Sequence, residues 1–386
     1  MKCLRFILHL GNRKHHMSTS LLHHIALLQV PLIGPVQARI LLNHLPVDAI
    51  FTAKSSQIEK IPGIGEARAQ HIKQFTNFKR AAEEIRFLEK YKIKALLYTD
   101  ENYPQRLLKI HDAPTVLYYK GHADLNHNRH IAIVGSRSNS SYGKEMTEEL
   151  VKYFATKNIH IISGMAAGID AIAHKASVDQ QVSTIGVLAH GLDTIYPAQH
   201  KGLAKEILQQ QGGLLTEFTS NTQPERYNFP RRNRIVAAIS DAVAIIETRE
   251  NGGSLITAQL ALRYKKPLFA LPGKTTDLKS RGCNRLIQSG SAGLLQHPDD
   301  ILQALGWETP HKKTATKNKA PQQGLLLPFT PEEKIVVDLL NDRPPVHIDE
   351  LKERSGLTNS SIAAAILSLE LQNVLLPLPG KMYKLV

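Results

Sequence analysis

IHIISGMAAGIDAIAHKAS, residues 159–177, carries three kinds of structural signal in a row. Ile159, Ile161 and Ile162 form an apolar run of strand length, Ser163 and Gly164 end it, and the alanine-rich stretch that follows has helical spacing. Asp170 and His174 stand one turn apart and so share a helix face. Strand, glycine turn and helix in succession are the repeating unit of a parallel sheet covered by helices.

The unit recurs between residues 93 and 307, where strand-length runs IKALLY, IAIVG, IHIIS, STIGVLA, GGLLTEF, AVAIIE, PLFALPG and AGLL alternate with helical stretches such as KEMTEELVKYFATK and LITAQLALRYK. The runs are apolar throughout, as strands buried on both faces are. A Rossmann-like, mostly parallel α/β domain is expected over residues 89–307. Ligands of such a sheet sit outside the carboxyl ends of its strands, where glycine turns meet helix N-termini. Gly135, Ser136 and Arg137 follow one run, Ser163 and Gly164 a second, and Gly252, Gly253 and Ser254 a third. NFPRRNR, residues 228–234, adds Phe229, Arg231, Arg232, Asn233 and Arg234 before a helix.

These turns do not match G-x-G-x-x-G, and no Walker lysine motif is present, so no nicotinamide, flavin or ATP cofactor is expected. Asp170, His174 and Glu247 invite a general-base reading. No nucleophile or ligand set accompanies them, and Asp170 in a first helical turn answers the helix dipole and can fix its loop through backbone amides. No catalytic residue and no metal site is assigned.

The 386 residues carry 48 Lys and Arg against 34 Asp and Glu, a net charge of +14, which points to a polyanionic partner. By segment the net charge is +7 over 1–90, +6 over 91–307, +3 over 308–324 and −2 over 325–386. Two cysteines, Cys3 and Cys283, are too few for a disulfide framework or a zinc site and suit a reducing cytoplasm. No apolar run reaches the ~18 to 20 residues a membrane span needs, so no membrane association is expected.

Flanking modules are expected on both sides. Residues 1–16 read as an unstructured extension, with Met17 an alternative start. Over 17–88, IPGIGEARAQHI (61–72) and its weaker echo VPLIGPVQARIL (30–41) form an internal repeat that resembles the helix-hairpin-helix motif. Gly63 and Gly65 would bring backbone N–H groups to a phosphate, or would only pack two helices. The copy at 30–41 has Leu32 in place of Gly63, so only the copy at 61–72 is expected to be competent. Residues 308–328 read as a linker, and 329–386 as three helices and a hairpin turning at Pro379-Gly380, resembling a winged helix.

The ordered blocks IAIVGSR, SGMAAGIDAIAHKAS, GLDTIYPAQH, LLTEF, NFPRRNRIVAAIS, ETRENGGSLITAQLA and LPGKTTDLKSRGCNRLI resemble those of the DNA-processing protein A family, DprA or Smf, over roughly residues 17–386. That resemblance implies a non-enzymatic cytoplasmic protein that binds and shields incoming single-stranded DNA and helps load RecA recombinase during natural transformation. It also implies a homodimer formed through the Rossmann-like domain. Arg137, Arg231, Arg232 and Arg234 would then neutralise phosphates, Asn233 would hydrogen-bond backbone or base, and Phe229 would stack on a base or pack in the core. Lys274 and Asn284 belong to the last block. Alanine at Arg231 and Arg232 together is expected to weaken DNA binding with the fold intact. Ala167 departs from the pattern, because many relatives carry Lys or Arg there. His190 stands where small residues are common.

Two other readings compete. ETRENGGSLITA also resembles the loop of lysine-decarboxylase-like nucleotide phosphoribohydrolases, but Ser254-Leu255 follow the glycines and no acid appears before Lys265. A pure scaffold for recombination proteins would bind partners with little DNA affinity. The C-terminal segment is expected to contact protein, or to have lost its role, rather than to read DNA, since Thr358 to Asn373 contains no Lys or Arg.

Overall fold

The computed structural model describes residues 12–307, 329–341, 345–371 and 374–385, which form two compact units divided near residue 310. The expected linker, 308–328, lies outside the described residues, as do residues 1–11. Residues 12–16, read from sequence as part of an unstructured extension, are instead helical.

The first unit opens with α1 (Asn12–Leu27), α2 (Pro35–His44), α3 (Val47–Thr52), α4 (Ser55–Glu59), α5 (Gly65–Gln74) and α6 (Phe78–Lys90). Both copies of the repeat make the same left-handed turn, at Leu32 (φ 65°) before α2 and at Gly63 (φ 85°) before α5. Leu32 bears the local backbone cost of that conformation, about 1–2 kcal/mol, and its side chain is 60% exposed. The expected difference between the copies therefore does not extend to the turn. Arg68 ties the two together, its Nε donating to the Leu32 carbonyl at 3.2 Å and its Nη1 to that of Ile64 at 3.1 Å.

A nine-stranded sheet follows: β1 (Lys94–Leu97), β2 (Val116–Gly121), β3 (His130–Val134), β4 (His160–Ser163), β5 (Thr184–Val187), β6 (Gly213–Thr216), β7 (Ala242–Ile245), β8 (Leu268–Ala270) and β9 (Gly293–Leu294). Their order is β1-β2-β6-β5-β4-β3-β7-β8-β9. From β6 to β9 every pairing is parallel; β1 and β2 add an antiparallel edge. Helices α7 (Ser141–Thr156), α8 (Ile169–Asp179), α9 (Lys201–Gln209), α10 (Asn228–Ile239), α11 (Ser254–Arg263), α12 (Arg281–Gln288) and α13 (Pro298–Ala304) cover both faces. The alternation of β3 shows why: Ile131 and Ile133 pack with Leu150 and Phe154 of α7, while Ala132 and Val134 pack with Ile235 and Ile239 of α10. Strand order reverses at β3, and the crevice between the carboxyl ends of β3 and β7 is the sheet's switch point.

β2 lies outside the strand-length runs expected from sequence. Its Val116 and Tyr118 pack against Ile25 and Ala26 of α1 and Ala81 and Leu88 of α6, joining the helical layer to the sheet. Glu84 completes the join: only 1% exposed, it accepts the Ser220 N–H at 2.9 Å and an Arg80 Nη2–H at 2.8 Å.

The second unit contains α14 (Pro331–Leu340), α15 (Ile348–Ser355) and α16 (Asn359–Leu371), with β10 (Val346–His347), β11 (Leu375–Leu378) and β12 (Met382–Leu385) in the order β10-β12-β11. Three helices and the hairpin match the winged-helix expectation, and β10 adds a third strand. Ile362, Ile366 and Leu369 of α16 are buried in this unit's own core with Val336, Leu340 and Leu351.

Candidate nucleic-acid interface

An open cleft of about 1110 Å³ occupies the switch point. Its walls come from the turns expected to carry function: Gly135, Ser136 and Arg137 after β3, Gly164 after β4, Phe229, Arg232 and Asn233 of α10, and Gly252, Gly253 and Ser254 at the start of α11. Ser163, Arg231, Arg234, Lys274 and Asn284 are not among the cleft residues.

The reasons lie in hydrogen bonding and helix phase. The buried Ser163 hydroxyl donates to the Ile133 carbonyl at 2.6 Å, linking β4 to β3. Asn284 closes the loop after β8, accepting the Gly273 N–H at 3.1 Å and donating to its carbonyl at 2.9 Å. Arg234 is buried, paired with Glu217 and donating to the Asp112 carbonyl. Arg231 leans over the Phe218 ring, 4.7 Å from its centroid, and lines a separate groove facing α2. Lys274 is exposed on the loop that Asn284 holds.

Arg232 is the floor of the cleft and only 4% exposed. Its Nη1 donates to the carbonyls of Gly164 and of Val187, the latter at 2.6 Å, and its Nε to Asn233 Oδ1 at 3.0 Å. Burial lowers its pKa to about 10. The buried carboxylate of Asp170 accepts the N–H groups of Gly164 at 3.1 Å and Ala166 at 3.4 Å. Burial pushes the Asp170 pKa up, and the Arg232 charge and these N–H groups pull it back. The Gly164 N–H is therefore directed at Asp170 rather than at the cleft, and because Arg232 is buried and bonded to two carbonyls, a double Arg231, Arg232 alanine variant is expected to lose stability as well as DNA affinity. Asp170 does fix its loop through backbone amides.

Neither of the other general-base candidates is free for proton transfer in the cleft. His174 is buried, its Nδ1 2.7 Å from the Thr184 hydroxyl, and burial lowers its pKa to about 3. Glu247, 1% exposed, accepts the Ser140 N–H at 2.9 Å and the Ser140 hydroxyl that caps α7.

Charge and aromatic surface remain available to a ligand. Arg137, Arg226 and Arg249 are exposed and line the cleft. Phe229 is half-buried rather than core, with the Arg137 guanidinium 5.0 Å from its centroid and Tyr196 edge-on at 6.2 Å. Tyr227, 64% exposed, stands on the same wall. Ala167 and His190 line a side niche that opens beside Arg137 and Phe229. Both His190 ring nitrogens are engaged within the protein, Nδ1 2.9 Å from the Gly191 carbonyl and Nε2 accepting the Tyr196 N–H at 3.2 Å. Arg226, Tyr227, Arg249 and Tyr196 add to the residues expected from sequence: Tyr196 and Arg249 lie within quoted blocks, and Arg226 and Tyr227 just precede another.

The fold defines a Rossmann-like body carrying a helix-hairpin-helix layer, followed by a winged-helix unit. Residues 94–306 match the family model of DNA recombination-mediator protein A, residues 316–381 the DprA winged-helix domain, and residues 25–76 a SAM-like helix-hairpin-helix tandem. The chain is 34% identical to Protein Smf of Escherichia coli K12 over 339 residues, covering 86% of this chain and 89% of that one. The X-ray structure of DNA processing protein A from Streptococcus pneumoniae aligns with TM-score 0.63 at 31% identity, over 73% of this chain and 97% of that one. A structure of DNA processing protein A from Helicobacter pylori, described for its unique single-stranded DNA binding mode, aligns with TM-score 0.51 at 32% identity, over 56% of this chain and 96% of that one. The chain belongs to the DNA recombination-mediator protein A family, the DprA or Smf proteins. Among the described residues no helix is long and apolar enough to cross a membrane.

Proposed function

We propose that this chain binds single-stranded DNA along the switch-point cleft, shields it, and passes it to a RecA-type recombinase, acting in the cytoplasm as a homodimer and without catalysing a reaction on the DNA. The observation that carries the reading is the composition of the cleft. Three exposed arginines can meet successive phosphates, and Phe229, Tyr227 and Tyr196 offer faces and edges to unstacked bases. A single strand has bases free to stack; a duplex does not. The α11 N-terminus at Gly253-Ser254 opens on the same cleft and favours an anion, with clear space beside Gly253. Gly63 and Gly65 form a second, smaller phosphate contact.

Arg137→Ala and Arg249→Ala are expected to weaken single-strand binding uniformly across sequences, each flattening the salt dependence by about one unit. Their denaturation midpoints should stay close to the parent's, since both side chains are exposed. Wild-type affinity in the double variant at several salt concentrations would move the track elsewhere.

The winged helix is proposed to contact protein. Its segment is net negative, and described residues of α16 carry no cation. A chain ending at Gly324 should bind single strands within about tenfold of the full chain, equivalent to ~1.4 kcal/mol; a larger loss would assign DNA contact to the winged helix.

A further inference from the structure

Three histidines meet at the end of the sheet opposite the cleft. His130 and His160 open the parallel strands β3 and β4 and are register partners across the ladder; His127 comes from the loop before β3. One ring nitrogen of each lies within 4.8 Å of one from each of the others. The His127 and His160 rings stack at 3.7 Å, and His130 stands 5.4 Å from His160. His130 is fully buried, His160 7% exposed and His127 half-buried. His130 Nε2 and His160 Nδ1 are buried without a hydrogen-bond partner. One such atom costs about 1–3 kcal/mol, and chance packing does not readily place two in one cluster.

We propose that His127, His130 and His160 form a binding site for a divalent first-row transition metal of the zinc class. Imidazole nitrogens suit zinc, nickel, cobalt and copper, whereas magnesium and calcium take oxygen. Three histidines leave a fourth position for water, reached from the half-buried side of His127. Supporting groups surround the cluster. Asp241 accepts the His130 backbone N–H at 2.9 Å and bonds of 2.7 and 2.9 Å from Arg106, so the guanidinium whose Nη1 stands 3.4 Å from His130 Nδ1 is paired with a carboxylate, and the remaining His130 nitrogen, Nε2, is the one offered to a metal. The His127 Nδ1 sits 3.2 Å from the Arg129 N–H, and its Nε2 has only a long contact, 3.5 Å, with the Asn158 side-chain amide, which a metal ion would replace. Zinc–nitrogen bonds of about 2.1 Å bring tetrahedral ligands to roughly 3.4 Å of one another. Binding therefore turns the His127 ring out of its stack on His160. The metal would pin the loop before β3 to the sheet, remote from DNA.

The test uses the full chain stripped with a chelator and titrated with Co²⁺, then Zn²⁺. One equivalent of Co²⁺ should give the intense visible bands of a four- or five-coordinate site, Zn²⁺ should displace it, and Zn²⁺ should raise the thermal midpoint. His127→Ala, at the most exposed ligand, should weaken binding at least tenfold, since loss even of groups that only orient ligands costs that much. His160→Gln should abolish the bands; if it fails to fold by circular dichroism, His127→Ala decides alone. The chain has 18 histidines, His15 and His16 adjacent among them. Tight binding that persists unchanged in His127→Ala would place the metal elsewhere and overturn the proposal, as would failure of the parent chain to bind.

Discussion

Arg232→Ala should lower the stability of the first unit by about 3–5 kcal/mol, the cost of removing a buried cation that bonds two carbonyls and offsets the charge of a buried carboxylate. The substitution leaves the Gly164 and Val187 carbonyls without their donor and the buried Asp170 carboxylate without its cation. The guanidinium packs so closely on Gly164 that a Cβ at that position would overlap it, so its removal leaves a gap against the β4 turn. Urea denaturation of the full chain, followed through the first transition, measures the effect. Single-strand affinity should fall with it, since the floor supports Phe229 and Asn233. A midpoint close to the parent's combined with a sharp loss of affinity would show instead that Arg232 is a direct phosphate ligand.

Gly168→Ala should be comparably severe. Gly168 holds φ 80° and ψ −130°, a region nearly closed to other residues, and a Cβ there would come within 2.2 Å of the Ser136 carbonyl oxygen and 2.7 Å of the Arg137 carbonyl carbon. Backbone strain contributes about 1–3 kcal/mol and overpacking about as much again. The two turns meet here, where the Ile169 N–H donates to the Ser136 carbonyl at 3.1 Å. Forcing them apart displaces Arg137 from the cleft wall. A combined loss of about 2–6 kcal/mol and a fall in single-strand affinity larger than that of Arg137→Ala are expected. Binding equal to that of Arg137→Ala would mean that the turns relax independently.

The parallel part of the sheet was legible because its strands are short apolar runs closed by glycine turns, and several of the turns at their ends converge on the switch-point cleft. β2 was not legible: what buries Val116 and Tyr118 is the packing of α1 and α6, separated from them in sequence. The arginines of α10 show a second limit. Composition reads Arg231, Arg232 and Arg234 as one cationic patch, yet at about 100° per residue they leave the helix in three directions. Phe229, Arg232 and Val236 follow the spacing of one helix face and line the cleft, so helix phase was the signal available for Arg232. No comparable pattern marks the histidine cluster, since His130 and His160 are neighbours only through strand register.

The central claim is that the cleft selects unstacked, single-stranded DNA, and a salt titration of full-chain binding to a single strand and to a duplex of equal length tests it most directly. The single strand should bind more tightly at every salt concentration, with affinity falling steeply as salt rises. Duplex binding that equals or exceeds single-strand binding, or affinity indifferent to salt, would contradict it.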